Sequence, residues 1–301
     1  MRILVAGFIT IDTIQLSIRN ITSVGGPPCY AGLICTRLGQ EVMALTKVGN
    51  DFPDEQTVWL ARNGIVLRAI DKSISKPTTQ FRIINAAGER SLALVSRCED
   101  IGVSQIPPGI KFDASIVSPL AGEVSTSLLA EISERTDFTF LDPQGFVRSF
   151  TSNGTVSLVP LKDKGIISKI DAMKMDKNEA RVITGKSNPR EALQRIYSLG
   201  VRKAVVTQGG NSCFVLDGTK IYEVAVPQSQ VVDSTGAGDI LSGATVSCYL
   251  RTRDFLRSVC FGIAASSLSL NMIALAKVDL PFTVDESAKR LFSLAIPVAG
   301  I

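Results

Sequence analysis

Residues 231–250 read VVDSTGAGDILSGATVSCYL. Four small residues, Thr235-Gly236-Ala237-Gly238, stand between Asp233 and Asp239 and run straight into small and apolar residues with helical character. A turn needs one glycine or two, so the surplus points to backbone that must come close to something. A small-residue loop at a helix N-terminus leaves several N–H groups free and adds the positive end of the helix dipole, which together make an anion site. A carboxylate at the start of that helix repels a phosphate unless it has a task there. Asp239 fits a base that takes the proton from a hydroxyl attacking the phosphate. Taken alone, the loop reads equally as an Asp cap after a glycine-rich turn. Neither G-x-x-x-x-G-K-[ST] nor G-x-G-x-x-G is present here.

The bulk composition narrows the chemistry further. With no histidine among 301 residues, Ser-His-Asp and Cys-His catalysis and every His-containing zinc site are excluded. A general base must then be a carboxylate, Lys, Tyr or Cys. Hydrophobic residues at 45% and charged residues at 20% suit a soluble globular chain of one large or two ordinary domains. The net charge of +4 is mild and no run of like charges occurs, so no nucleic-acid partner is expected. Cysteines 29, 35, 98, 213, 248 and 260 form no C-x-x-C pair and read as buried thiols of a reducing, cytoplasmic location. The opening MRILVAGFITID is too short an apolar run for a signal peptide and reads as a buried strand. Ser258 to Ala276 carries no charge, but its serines, Gly262 and Asn271 favour a buried helix, so no membrane partner is expected.

Along the chain, short β-rich runs alternate with helical patterns. RILVAGF, EVMALTKVG, ASIVSP, FTFLDP, DAMKM, KAVVTQG and CFVLDG read as strands; PCYAGLICTRLG, SLLAEISERT and PREALQRIYSLG read as helices. This rhythm implies a mostly parallel sheet covered on both faces. DTIQLSIRN and residues 78–97 break it with half-polar alternation, and NAAGER looks like a hairpin connection. They suit a small projecting sheet, a lid over the strand ends where ligands bind.

With these features in view, the chain resembles the ribokinase-like, or PfkB, family of carbohydrate kinases. DSTGAGDILSGA follows that family's C-terminal signature almost residue for residue, with Ser234 where Thr is more usual and Leu241 where Phe is common. GGPPCYAGLICTRLG has the length and closing RLG of the N-terminal signature; KVGNDF, DKNEARVITG and VVTQGGNSCFVL resemble the family segments that lie between the two signatures. The resemblance runs nearly end to end. It implies a three-layer α/β/α fold, one kinase domain over 1–301 with lid segments at about 13–22 and 77–100, and ATP with Mg²⁺ as cofactors. By position, Asp239 is the catalytic base and the N–H groups of Gly236, Ala237 and Gly238 form the anion hole. Asp12, Gly25 and Gly26 hold substrate hydroxyls. Thr207, Gly209 and Thr235 line the nucleotide side, and Glu179 with Asp176 acts on the metal.

Departures from the family pattern bear on the substrate. Tyr30 stands where many sugar kinases have Asn, which adds a stacking face and favours a cyclitol or another ring-bearing ligand over ribose. Asp176 replaces the usual Asn, and Ser212 replaces the last glycine of VTxGxxG. Asp142-Pro143-Gln144 ends a strand where substrate lies in such sheets, so Asp142 or Gln144 faces substrate or phosphates; an Asp-Pro turn is the alternative. The expected activity is phosphorylation of a hydroxyl on a small sugar, a cyclitol such as inositol, or a sugar acid. A nucleoside kinase and a non-catalytic sugar sensor on the same fold are the alternatives. The lid strands offer edges through which a second copy can pair as a homodimer.

Overall fold

The computed structural model describes residues 1–15, 20–86, 89–279 and 283–301. Its first half runs β1 (Arg2–Ala6), β2 (Thr10–Gln15), β3 (Asn20–Gly25), α1 (Pro27–Arg37), β4 (Glu41–Gly49), α2 (Asp54–Arg62), β5 (Ile65–Ser73), β6 (Gln80–Ala86), β7 (Glu89–Ser96) and β8 (Ala114–Val117). Then come α3 (Thr126–Glu134), β9 (Thr139–Leu141), α4 (Gln144–Val147), β10 (Arg148–Phe150), β11 (Val156–Leu158), β12 (Ala172–Asp176), α5 (Lys177–Thr184) and α6 (Pro189–Ser198). The chain closes with β13 (Lys203–Thr207), β14 (Cys213–Asp217), β15 (Lys220–Val224), α7 (Ala237–Thr252), α8 (Phe255–Ser269), α9 (Val284–Ser293) and β16 (Ile296–Gly300).

The central sheet has the order β16-β15-β14-β13-β12-β9-β8-β1-β4-β5. Strands from β5 across to β13 pair in parallel, and β14, β15 and β16 extend the sheet antiparallel. Central strands such as β8 (ASIV) and β9 (TFL) are buried at every position, as a sheet covered on both faces requires. One core holds residues of α1, α7, α8 and α9, and a second, across the sheet, holds those of α3, α5 and α6. The fold is therefore a three-layer α/β/α arrangement.

Strands β3-β2-β6-β7 form a separate four-stranded sheet. In β2 the residues alternate between buried and half-buried, the pattern of a sheet covered on one face. This sheet begins at Thr10 rather than 13 and extends to Gly25 rather than 22, because Thr10 and Gly25 pair across the β2–β3 ladder. Asp12 accordingly lies on this small sheet and not on β1, which ends at Ala6. The tip of the expected NAAGER connection, residues 87–88, lies outside the described residues, as do 16–19 of the first lid segment. The uncharged stretch from Ser258 belongs to α8, buried along most of its length. Among the described residues no helix is long and apolar enough to cross a membrane.

Strand β1 lies between β4 and β8, so the chain order reverses beside it. In open α/β sheets the crevice at such a reversal, outside the carboxyl ends of the strands, is where ligands bind.

Candidate active site

The residues that end β8, β9, β12 and β13 open onto that crevice: Ser118, Asp142, Asp176 and Thr207 follow or close the four strands. Helix α7 faces them with its N-terminus. Its cap, Gly236, sits at φ 73, a left-handed conformation that favours glycine. A Cβ there would also lie 2.6 Å from Cδ1 of Tyr30. The first-turn N–H groups of a helix have no intrahelical acceptor, so this terminus presents donors to the crevice. Gly243 lets α7 approach α1, since a Cβ on it would lie 2.7 Å from the Ala31 carbonyl oxygen. The small residues after Asp239 are thus explained by helix packing, and those before it by the turn.

A cleft of about 220 Å³ gathers Asp12, Gly26, Tyr30, Gln144, Asp176, Glu179, Thr207, Thr235, Gly236, Gly238 and Asp239. Residues expected from positions spread over the whole chain are therefore lining one space. Gly25 instead sits against the Asp12 carboxylate, where a side chain would collide with it. Ala237 turns its N–H back onto the Ser234 carbonyl at 3.3 Å, closing the turn, and does not line the cleft. Gly209 lies in an exposed turn after β13 and also stays outside it. Tyr30 is only 1% exposed. Its ring packs under Gly236, so the face expected to stack a ligand is taken by the protein's own backbone.

Asp239 lies at the floor of the cleft, 9% exposed. Burial, reinforced by the nearby charge of Asp142, pushes its pKa up to about 7, while Lys174 and Arg148 pull the other way. Ser118 Oγ donates to Asp239 Oδ1 at 3.4 Å and accepts from Gln144 Nε2 at 3.2 Å. That chain orients the carboxylate. Lys174, from β12, pairs with Asp142 Oδ2 at 2.5 Å, both buried. Burial opposes its charge, yet Asp142 and Glu179 hold the ammonium firmly protonated. The second oxygen of Asp142, Oδ1, is buried without a hydrogen-bond partner among the described residues, an acceptor aimed into a polar cleft.

Asp12 accepts from Thr10 Oγ1 at 2.9 Å and from the Phe81 N–H at 3.3 Å, which fixes its carboxylate at the mouth of the small sheet. Phe81, Ile83 and Leu92 give that sheet an apolar inner face over the cleft. At the opposite end Asp176 caps α5, accepting from the N–H groups of Asn178 and Glu179, while Glu179 Oε2 accepts from the Asp176 N–H at 2.7 Å. This reciprocal box explains the D-x-x-E spacing on structural grounds. Burial and the charges of Asp142 and Asp176 push Glu179 above the ordinary carboxylate range. Two carboxylates crowded at one end of the cleft fit a divalent cation held with the aid of water and phosphate oxygens. No set of three His, Cys, Asp or Glu side chains suited to holding a metal unaided occurs among the described residues.

Sequence reading missed Ser118, Lys174 and Arg148. Position just past the carboxyl end of β8 was the available signal for Ser118, and a lone charge inside the buried strand AMKMD was the signal for Lys174. Arg148, whose Nη1 donates to the Leu120 carbonyl at 3.3 Å, gave none.

Comparison with known proteins bears on the fold and the family. The profile of the pfkB family carbohydrate kinases matches residues 141–275. The chain is similar to a 2-dehydro-3-deoxygluconokinase of Thermoproteus tenax, at 30% identity over 258 residues, 81% of this chain and 78% of that protein. It is similar to a cytidine kinase of Thermococcus kodakarensis, at 26% identity over 273 residues, 87% of this chain and 93% of that one. A solved pyrophosphate-dependent kinase of the ribokinase family superposes with a TM-score of 0.81 at 21% identity, covering 93% of this chain and 100% of its own. The chain belongs to the pfkB family of carbohydrate kinases and is a phosphotransferase acting on an alcohol group.

Proposed function

We propose that this kinase transfers the γ-phosphoryl group of ATP, with Mg²⁺, to a hydroxyl of a small cyclic polyol or sugar bound beneath the small sheet. The observation that carries the reading is Asp239: a carboxylate poised near pH 7, at the N-terminus of a helix, on the floor of the cleft that also holds Asp12. A base tuned to the operating pH can take the hydroxyl proton as the bond to phosphorus forms. Gly236 and Gly238 offer backbone donors to the phosphoryl oxygens, and Lys174 adds a buried positive charge beside Gly238. Asp12 and the unpartnered Asp142 Oδ1 accept from acceptor hydroxyls, and Gln144 holds Ser118 and through it the base. Thr207 and Thr235 lie on the donor side of the cleft. Asp176 and Glu179 would hold the metal, which neutralises charge on the phosphates when bound. The small sheet acts as a lid on a single domain, excluding water that would otherwise take the phosphoryl group.

A cleft of about 220 Å³ is small beside the roughly 300–1,000 Å³ of pockets for drug-sized ligands, which favours a single ring. The apolar inner face of Phe81, Ile83 and Leu92 supports a second reading, a nucleoside acceptor whose base packs there, in line with the cytidine kinase relative. The test is phosphotransfer with ATP or pyrophosphate as donor across sugars, sugar acids, inositols and nucleosides, with Asp239→Asn alongside. Turnover confined to one acceptor class, and lost in the variant, supports the corresponding reading. Turnover that survives Asp239→Asn rejects the assignment of the base. A chain that uses only pyrophosphate rejects ATP.

A further inference from the structure

Lys277 lies in the short 3-10 turn Ala274–Val278, 0% exposed, and is among the largest fully buried side chains. Its ammonium does not reach the cleft. It donates to the carbonyl oxygen of Asp233, to that of Thr235 at 2.8 Å, and pairs with Asp233 Oδ2 at 3.0 Å. The Asp233 carboxylate is also held by the Thr235 N–H at 2.9 Å and the Ala274 N–H at 3.2 Å. The residues leading into the phosphate-facing turn are thus wrapped around one buried cation from the C-terminal part of the chain.

Stability alone is a weak reason for such an arrangement. Desolvating an ammonium and a carboxylate costs several kcal/mol each, and well-packed apolar replacements of buried ion pairs are often as stable. The geometry supplies another reason. A trans peptide is planar, with its C=O and N–H pointing in opposite directions, and no cis peptide bond occurs among the described residues. The Thr235 carbonyl belongs to the same peptide unit as the Gly236 N–H. Drawing that carbonyl toward Lys277 turns the N–H the other way, and Gly236 lines the cleft. Glycine at Gly236 permits either sign of φ, so this peptide needs an external hold to keep one orientation.

We propose that Lys277 is a positioning residue for phosphoryl transfer, a tethered monovalent cation that locks the Thr235–Gly236 peptide with its N–H directed at the phosphoryl site. The proposal rests on the reading of the Gly236–Gly238 turn given above. The charge of Lys277 also holds Asp233 below the ordinary carboxylate range, against the opposing effect of burial, so that carboxylate stays ionised. A chain that carries its own cation here needs no dissolved one to order the turn. Truncating the side chain leaves carbonyl and carboxylate oxygens that a small cation from solution can satisfy.

The test uses the intact chain, Lys277→Ala and Lys277→Met, with the acceptor identified in the panel and folding checked by circular dichroism. In Lys277→Ala, kcat should fall about 100-fold, as for loss of one oxyanion donor, with acceptor KM within about threefold. Ammonium or methylammonium chloride should restore kcat saturably by about tenfold or more, and tetramethylammonium chloride at equal ionic strength should not. Lys277→Met, which fills the space without charge, should show the same loss and no recovery. The intact chain should turn over equally well in sodium, potassium and tetramethylammonium salts. A folded Lys277→Ala that keeps its kcat, or loses it with no recovery by either small cation, overturns the proposal. So does an intact chain whose turnover requires potassium, and that arm decides the matter if both variants fail to fold. Asp239→Asn separates the two readings. If it retains turnover, the cleft assignment fails by itself. Calorimetric binding of AMP-PNP and of pyrophosphate to Lys277→Ala then judges Lys277 alone: weakening reversed by methylammonium supports it, and unchanged binding overturns it.

Discussion

Asp239→Asn tests the electrostatics of the site through stability as well as rate. The Asp239 carboxyl, ordinarily near 3.8, is raised to about 7 by burial and by Asp142. That rise corresponds to a penalty of about 4 kcal/mol against the ionised form in the folded chain. The sign follows from linkage. A group whose folded pKa is raised contributes stability that is fully present below pH 3.8 and is lost as pH climbs through about 7. Asparagine keeps the shape of the side chain and carries no charge, so the variant escapes this loss. It should unfold at nearly the same urea concentration as the parent at pH 4, and be more stable at pH 8 by up to about 4 kcal/mol. Its kcat should nevertheless drop by about 10²–10⁴, the usual contribution of a general base. Urea unfolding at the two pH values, with kcat measured on the same preparations, reads both effects. Equal or lower stability of Asp239→Asn at pH 8 would refute the account of the buried carboxylate, and a retained kcat would refute its role as base.

Other perturbations report on neighbouring parts of the cleft. In the intact enzyme, kcat/KM should rise with pH along an acid limb centred near 7, because Asp239 must be ionised to accept a proton. Lys174→Met removes a charge that lowers the Asp239 pKa, so the limb should move to higher pH in a pH–rate profile; leaving Asp142 without its buried partner should cost about 3–5 kcal/mol by denaturant unfolding. Gly236→Ala places a methyl against the Tyr30 ring in a left-handed conformation and should cost about 1–3 kcal/mol in thermal unfolding. Asp12→Ala removes a charged acceptor worth about 1.5–3 kcal/mol and should raise acceptor KM by about 10–100-fold with a smaller effect on kcat; an unchanged KM would take Asp12 out of the acceptor site.

What the sequence disclosed was mostly what is local. The small-residue turn before α7 and the spacing of Asp176 and Glu179 depend on neighbours within a few positions and are visible in the string of letters. Helix α7 nevertheless starts at Ala237, two residues before Asp239, and is capped by Gly236 rather than by an aspartate. The alternation of apolar runs with helical segments likewise sufficed for a parallel sheet between helical layers. Contacts made by the crossing of distant strands left no such trace. Lys174 meets Asp142 across 32 residues, Ser118 meets Asp239 across 121, and Lys277 reaches Asp233 across 44. Tyr30 illustrates the same limit from the other side. An aromatic residue where many sugar kinases carry Asn suggested a stacking face for a ligand, but α1 and α7 approach so closely that Gly236 packs on its ring. The placement of Asp12 on the small sheet followed from where β1 stops, which an unbroken run of apolar letters does not mark.

That placement joins two tasks that many enzymes keep apart. Asp12 belongs to β2 and is held by the backbone of β6, both strands of the small sheet, whereas Asp239 belongs to α7 in the body. On the function proposed above, with the small sheet as the lid, an acceptor gripped by Asp12 rides on that sheet, and its closing is itself the delivery of the hydroxyl to the base. Water has no comparable carrier. Discrimination between a sugar and the solvent then resides in transport rather than in the reacting groups, and an empty lid that swings shut brings nothing to the phosphoryl donor.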